Sequence, residues 1–233
     1  MWLVAARVVA AMATSLITSV EDRKRLARRL AGSGRGFAEE YGFRVTNNPA
    51  SLFQVLYLSV LLARRGDFRW ALDGARAVRD EGWDSAARLA RSLHEDRVRV
   101  LRASGQRGDV DALADVLGDL ARTVVERYRG DLRRLRAVAH HDPVRERALL
   151  AELPGVDEQV VDLFLREAQA LWREVAPVAD RRALAAARRL GLGRSADDLA
   201  GLATGESEQL AWLVGALARV DLEHRYAEVT GRP

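Results

Sequence analysis

The chain of 233 residues contains no cysteine. That excludes disulfides, cysteine-held zinc and thiolate-held iron–sulfur clusters, so a core of this size has to hold without covalent staples. Side-chain amines are almost as scarce, because Lys24 is the only lysine among 37 basic residues. Schiff-base chemistry therefore has one side chain to draw on, far from any later motif. Alternating apolar and polar runs bounded by hairpin turns are missing, which takes a sheet out of the expectation. A glycine-rich nucleotide loop, a Ser/His/Asp arrangement and paired carboxylates at a working spacing are missing too. Aromatic residues make up 6% of the chain, and the tryptophans at 2, 70, 83, 172 and 212 are scattered rather than clustered. Each reads as a helix anchor rather than a stacking platform.

What fills the sequence is helical periodicity, and the fold class it predicts is all-α. Helices are expected over residues 2–30, 50–64, 67–81, 84–93, 95–103, 109–129, 143–151, 157–173, 181–190, 195–202 and 206–228. Asp67, Asp84, Asp109 and Ser195 stand where N-caps belong, and Asp142 followed by Pro143 reads as a cap with proline at the first helical position. Glycine-rich GSGRG at 32–36 and NNP at 47–49 mark an irregular link after the first helix. The apolar start, MWLVAARVVAAMATSLITSV, has Arg7 inside it and no basic stretch before it. Its helical spacing reads as a core-facing amphipathic helix rather than a targeting or membrane segment. The expected organisation is a helix and link over 1–35, a main helical body over 36–203 and a C-terminal helix over 204–233 packing back on that body.

The net charge is +4 and the sequence pI is near 10. A polyanion is thus a credible partner, although an arginine- and alanine-rich codon bias gives the same composition. Arginines at 122, 127, 129, 133, 134, 136, 145 and 147 crowd one stretch, interrupted by Glu126, Asp131, Asp142 and Glu146. Two readings stay open there: a phosphate-neutralising patch, or a solvated surface with its own ion pairs. His140 and His141 adjoin Asp142, but consecutive residues rarely face one centre, so no metal site is expected and no cofactor is implied.

The segment LPGVDEQVVDLFL, 153–165, has the order helix, tight glycine turn, helix. Such a turn aims backbone N–H groups outward at a helix start, where the dipole favours a phosphate. With GFAEEYGFRVTNNPASLFQVLYLSVLLARR before it, YRGDLRRLR at 128–136, and LPGVDEQVVDLFLREAQALW running on to VADRRALAAARRLGL, the chain resembles the helix-hairpin-helix DNA glycosylases, the endonuclease III-like superfamily, in a cysteine-free bacterial branch. The resemblance covers about Gly36 to Leu192. It implies a two-lobed orthogonal helical bundle that binds double-stranded DNA, flips a base into a cleft and cleaves its N-glycosidic bond. It also implies a cytoplasmic, nucleoid-associated setting in base-excision repair.

By that resemblance Asp180 is the catalytic carboxylate, and Leu153, Pro154, Gly155, Val156, Asp157 and Gln159 contact the DNA backbone, with Arg133 and Arg134 assisting. Gln159 stands where bifunctional members carry the Schiff-base lysine, so the implied activity is that of a monofunctional glycosylase without lyase chemistry. Asp157 replaces the second hairpin glycine and, as an N-cap, competes with phosphate for the same N–H groups. Asp180 is placed to cap its own helix in the same way. A catalytically inactive DNA-binding scaffold and a helical module that binds a protein partner remain open beside the enzyme reading.

Overall fold

A computed structural model describes residues 19–64, 66–203 and 205–231. At its centre is a helix, α3, that the sequence makes apolar on every side. For continuity the helices are numbered from the first described one: α1 (Val20–Ala31), α2 (Phe37–Glu40) and α3 (Pro49–Ala63). In α3, PASLFQVLYLSVLLA, every residue from Ser51 to Leu61 except Gln54 is buried. A helix hydrophobic all round has to be surrounded, and that requirement organises the rest of the fold. Asn48 starts it by accepting the Ser51 N–H, with Pro49 at the first position.

The chain continues through α4 (Phe68–Asp80), α5 (Ala86–Ala90), α6 (His94–Ala103), α7 (Val110–Tyr128), α8 (Leu132–Val138) and α9 (Pro143–Ala151). These pack largely on one another: α7 on α5, α6 and α8, α4 on α6, and α8 on α9. Then follow α10 (Glu158–Ala168), a single 3-10 turn at Arg173–Val175, α11 (Arg181–Arg189), α12 (Ala196–Ala200), α13 (Ser207–Leu222) and α14 (Tyr226–Thr230). The C-terminal helix α13 packs against α1, α2, α11 and α12. Between these two sets lie α3 and α10, which pack on each other, while α10 also touches α9 on one side and α13 on the other.

The described residues are helical without a strand, as the periodicity predicts. Caps at Asp67, Asp109, Asp142, Asp157, Asp180 and Ser195 each accept a first-turn N–H. Asp84 does not: Ser85 takes the cap position, the helix shortens to Ala86–Ala90, and Asp84 pairs with Arg88 instead, at 3.2 Å. The helix expected at 157–173 stops at Ala168, where the chain turns to bury Trp172 completely. The helix expected at 206–228 breaks after Leu222, with His224 at φ +56° and the Tyr226 hydroxyl donating back to Asp221 at 2.7 Å. Two short helices, Phe37–Glu40 and Leu132–Val138, were not expected. In α8 only Leu132 and Leu135 are buried, and two apolar positions among arginines make too short a stripe to be seen as periodic. The first seventeen residues of the helix predicted over 2–30, including Trp2, lie outside the described residues.

Candidate functional site

The hairpin folds as helix, turn, helix. The N–H of Val156 donates to the Leu153 carbonyl at 3.1 Å, Gly155 sits at φ +73°, and Leu153 and Val156 are buried beneath the turn. The positive φ explains the glycine, and so does space: a Cβ at Gly155 would lie 2.3 Å from Val116 Cγ1 on α7. Asp157 accepts the Val160 N–H at 2.9 Å and so occupies one of the donors that a phosphate would need. A charge pair between Arg147 and Asp162 ties the two helices of the hairpin together.

From this hairpin, α10 runs along one wall of a cleft of about 660 Å³. Glu158, Gln159, Asp162, Leu163 and Arg166 come from α10, and Asp180, Arg181 and Arg182 from the start of α11. The end of α3 with the link after it, and Phe37, Phe68 and Leu222, close the other sides. Phe37 and Phe68 give the cleft an aromatic edge, joined through Tyr41 by ring contacts of 4.9 and 5.9 Å. Gln159 and Asp180 are thus brought to the same cleft although 21 positions separate them in sequence.

Asp180 is held tightly there. It is 3% exposed, accepts from Arg166 Nη1 at 3.2 Å, and caps α11 through the Arg182 N–H at 3.2 Å. Arg166 is itself buried and also donates to Glu167 at 2.7 Å, while its guanidinium lies 4.5 Å from the centre of the Phe37 ring. Burial opposes charge on Arg166, but the carboxylates of Asp180 and Glu167 outweigh it and raise its pKa. Glu167 in turn accepts the Ala38 N–H at 3.0 Å. The loop before Asp180 is pinned by Gln169, whose amide donates to the carbonyls of Arg166 and Val178 at 2.9 and 2.8 Å and accepts the Val178 N–H at 2.9 Å. No fully buried side-chain atom of Arg166, Glu167, Gln169 or Asp180 lacks a hydrogen-bond partner, which fixes the position of Asp180. A carboxylate so engaged is a fixed negative charge rather than a free base.

Arg166, Glu167 and Gln169 were not singled out from the sequence. Their signal was present as three polar residues inside a stretch that is buried from Val160 to Gln169 apart from Asp162, where solvent cannot satisfy them.

The arginine stretch is mostly spoken for. Arg122, Arg127, Arg133, Arg136 and Arg147 pair with Asp119, Glu152, Asp131, Glu174 and Asp162. Arg133 also donates to the Asn47 carbonyl at 3.3 Å, beside the start of α3, whereas the cleft lies at that helix's far end. At 1.5 Å per residue the two ends of α3 are about 20 Å apart. The structure therefore does not bring Arg133 to the cleft, and Arg134 is exposed on the same short helix. The cationic residues that do line the cleft are Arg64, Arg166, Arg181 and Arg182.

Comparison of the chain with protein families, curated proteins and solved structures gives no match. No helix among the described residues is long and apolar enough to cross a membrane.

Proposed function

We propose that the chain is a DNA-binding protein of the helix-hairpin-helix glycosylase type, with two helical lobes meeting at α3 and α10 and the cleft between them receiving DNA. The observation that carries this reading is the convergence on one cleft of Asp180 and of Gln159, at the start of the hairpin's second helix. Its volume of about 660 Å³ is in the range of small-molecule sites and can take a flipped base. In this reading Phe37 and Phe68 offer an apolar edge to that base, and Arg64 and Arg181 meet the flanking phosphates.

Asp180 would act through its charge. A glycosidic bond that breaks through an oxocarbenium-like state develops positive charge on the sugar, and a carboxylate fixed by Arg166 and the α11 amide needs no reorganisation to face it. Water would be the nucleophile, since the cleft has glutamine at 159 and no lysine. The engagement of both Asp180 oxygens favours one alternative, a DNA-binding scaffold on the same fold without chemistry.

Binding to a duplex carrying an abasic-site analogue, beside an undamaged duplex and across a salt series, tests the reading. Preference for the abasic duplex, weakening with salt, is expected. Equal or absent binding to both would rule out a repair protein. If binding is preferential, release of damaged bases by wild type but not Asp180→Asn separates the enzyme from the scaffold.

A further inference from the structure

Away from the cleft, α9 buries a carboxylate to which no cationic side chain is bonded among the described residues. Glu146 is 0% exposed, and neither of its oxygens has a hydrogen-bond donor among the described residues. Burying a charge without a partner costs several kcal/mol, so such a group either keeps a proton or faces a cation. Two further donors converge on it from separate elements. His141 comes from the turn between α8 and α9, and Glu174 from the 3-10 turn after α10. One ligand-competent atom of each lies within 4.8 Å of the others.

The geometry points to a binding site for a divalent transition-metal ion of the zinc class, formed by His141, Glu146 and Glu174. His141 Nδ1 and Glu174 Oε1 are 3.4 Å apart, long for a hydrogen bond. Two ligands about 2.05 Å from one tetrahedral ion stand about 3.3 Å apart, so this spacing is that of neighbouring ligands. One imidazole with two carboxylates suits zinc better than magnesium or calcium, which take oxygen ligands almost throughout.

The surroundings supply what a metal ligand needs behind it. Arg136 Nη2 donates to the outer oxygen of Glu174 at 2.8 Å, and its Nε bonds the inner one, orienting the carboxylate. Arg136 offsets one negative charge, leaving the pair of carboxylates with a net charge of −1, and Asp142 stands close enough to add to it. His141 is 57% exposed on its side chain, which leaves an entry path and a fourth position for water. The site is independent of the proposed DNA cleft.

The test is calorimetric titration of the metal-stripped full chain with zinc chloride at pH 7.5, repeated on His141→Asn, Glu146→Gln and His94→Ala. Asparagine is chosen because position 141 sits at φ +58°, which it tolerates. His94 is the control, since it lies 2.8 Å from Asp115 and is the other imidazole close to carboxylates. One equivalent should bind to wild type and to His94→Ala, with affinity at least about tenfold lower in the other two. No binding tighter than about 100 µM would overturn the site and leave Glu146 sharing a proton with Glu174. Binding unchanged in His141→Asn and Glu146→Gln, or lost in His94→Ala, would overturn it equally.

Discussion

Arg166 Nη1 meets Asp180 Oδ1 at 3.2 Å with both side chains almost completely buried, so the residue with the strongest claim to chemistry is also part of the core. Removing one member of a buried pair leaves the other uncompensated, which costs about 3–5 kcal/mol. Asp180→Ala should therefore destabilise the protein by at least about 4 kcal/mol, with loss of the α11 cap included. Asp180→Asn keeps an acceptor for only one of the two bonds, because Arg166 uses Oδ1 and the Arg182 N–H uses Oδ2, but it retains the packing and should cost about half as much. Urea unfolding of the two variants measures this. Equal and small losses would mean that Arg166 is sufficiently paired by Glu167 alone.

Gln159 faces the same cleft, and its replacement by lysine tests the proposed register of DNA in it. In Gln159→Lys the new amine would condense with the C1′ aldehyde of an open abasic sugar, releasing water, and borohydride would reduce the imine to a stable amine. A covalent adduct at least about tenfold above wild type is expected. Binding to the abasic duplex without trapping would show that the sugar does not sit at position 159.

How much of this was legible in the sequence depended on whether the signal was local. Caps at Asp67, Asp109, Asp142, Asp157, Asp180 and Ser195 could be read from position alone, because the donor and acceptor lie within three residues. So could the glycine turn at 155. Asp84 failed because Ser85 competes for the same position and Arg88 offers the acid a better partner one turn on. Polar residues within an apolar stretch marked Arg166, Glu167 and Gln169, but their partners Ala38, Asp180 and Val178 could not be read, since tertiary packing brings them together. Nor could the cluster of His141, Glu146 and Glu174, whose third member arrives 28 residues after its second. Arg133 was grouped with the hairpin by its place in the chain, while the fold sets it at the opposite end of α3.

The hairpin's own tolerance is a separate prediction. Gly155→Ala has to accept a left-handed backbone and a Cβ 2.3 Å from Val116 Cγ1. Strain at φ and overpacking each cost about 1–3 kcal/mol, so a loss of at least about 2 kcal/mol is expected. Gly155→Ala combined with Val116→Ala removes the clash but not the strain. The substitution at 155 should therefore cost less in the Val116→Ala background than in wild type. A double-mutant cycle with no such coupling would mean that the hairpin does not rest on α7 as described.

The acid limb of stability should carry the signature of Glu40, which joins α2 to α13 by accepting from Arg219 at 2.7 Å. Burial works to raise the Glu40 pKa, yet the bonds from Arg219 and Ser33 more than offset it and set the value below the ordinary 4.5. A folded-state pKa below the unfolded one means that the unfolded chain binds the proton more readily. The contribution is therefore complete above about pH 4.5 and is lost as pH falls through the folded-state value. Both side chains are about four-fifths buried, which leaves the pair less screened than a surface one, and Arg219→Ala should cost about 1 kcal/mol at pH 7. At pH 3 the same variant should differ from wild type by clearly less, because Glu40 is then increasingly protonated in both. Urea midpoints at the two pH values decide it: a cost that stays constant from pH 7 to pH 3 would assign the Arg219 effect to packing of its aliphatic stem on α2 rather than to charge.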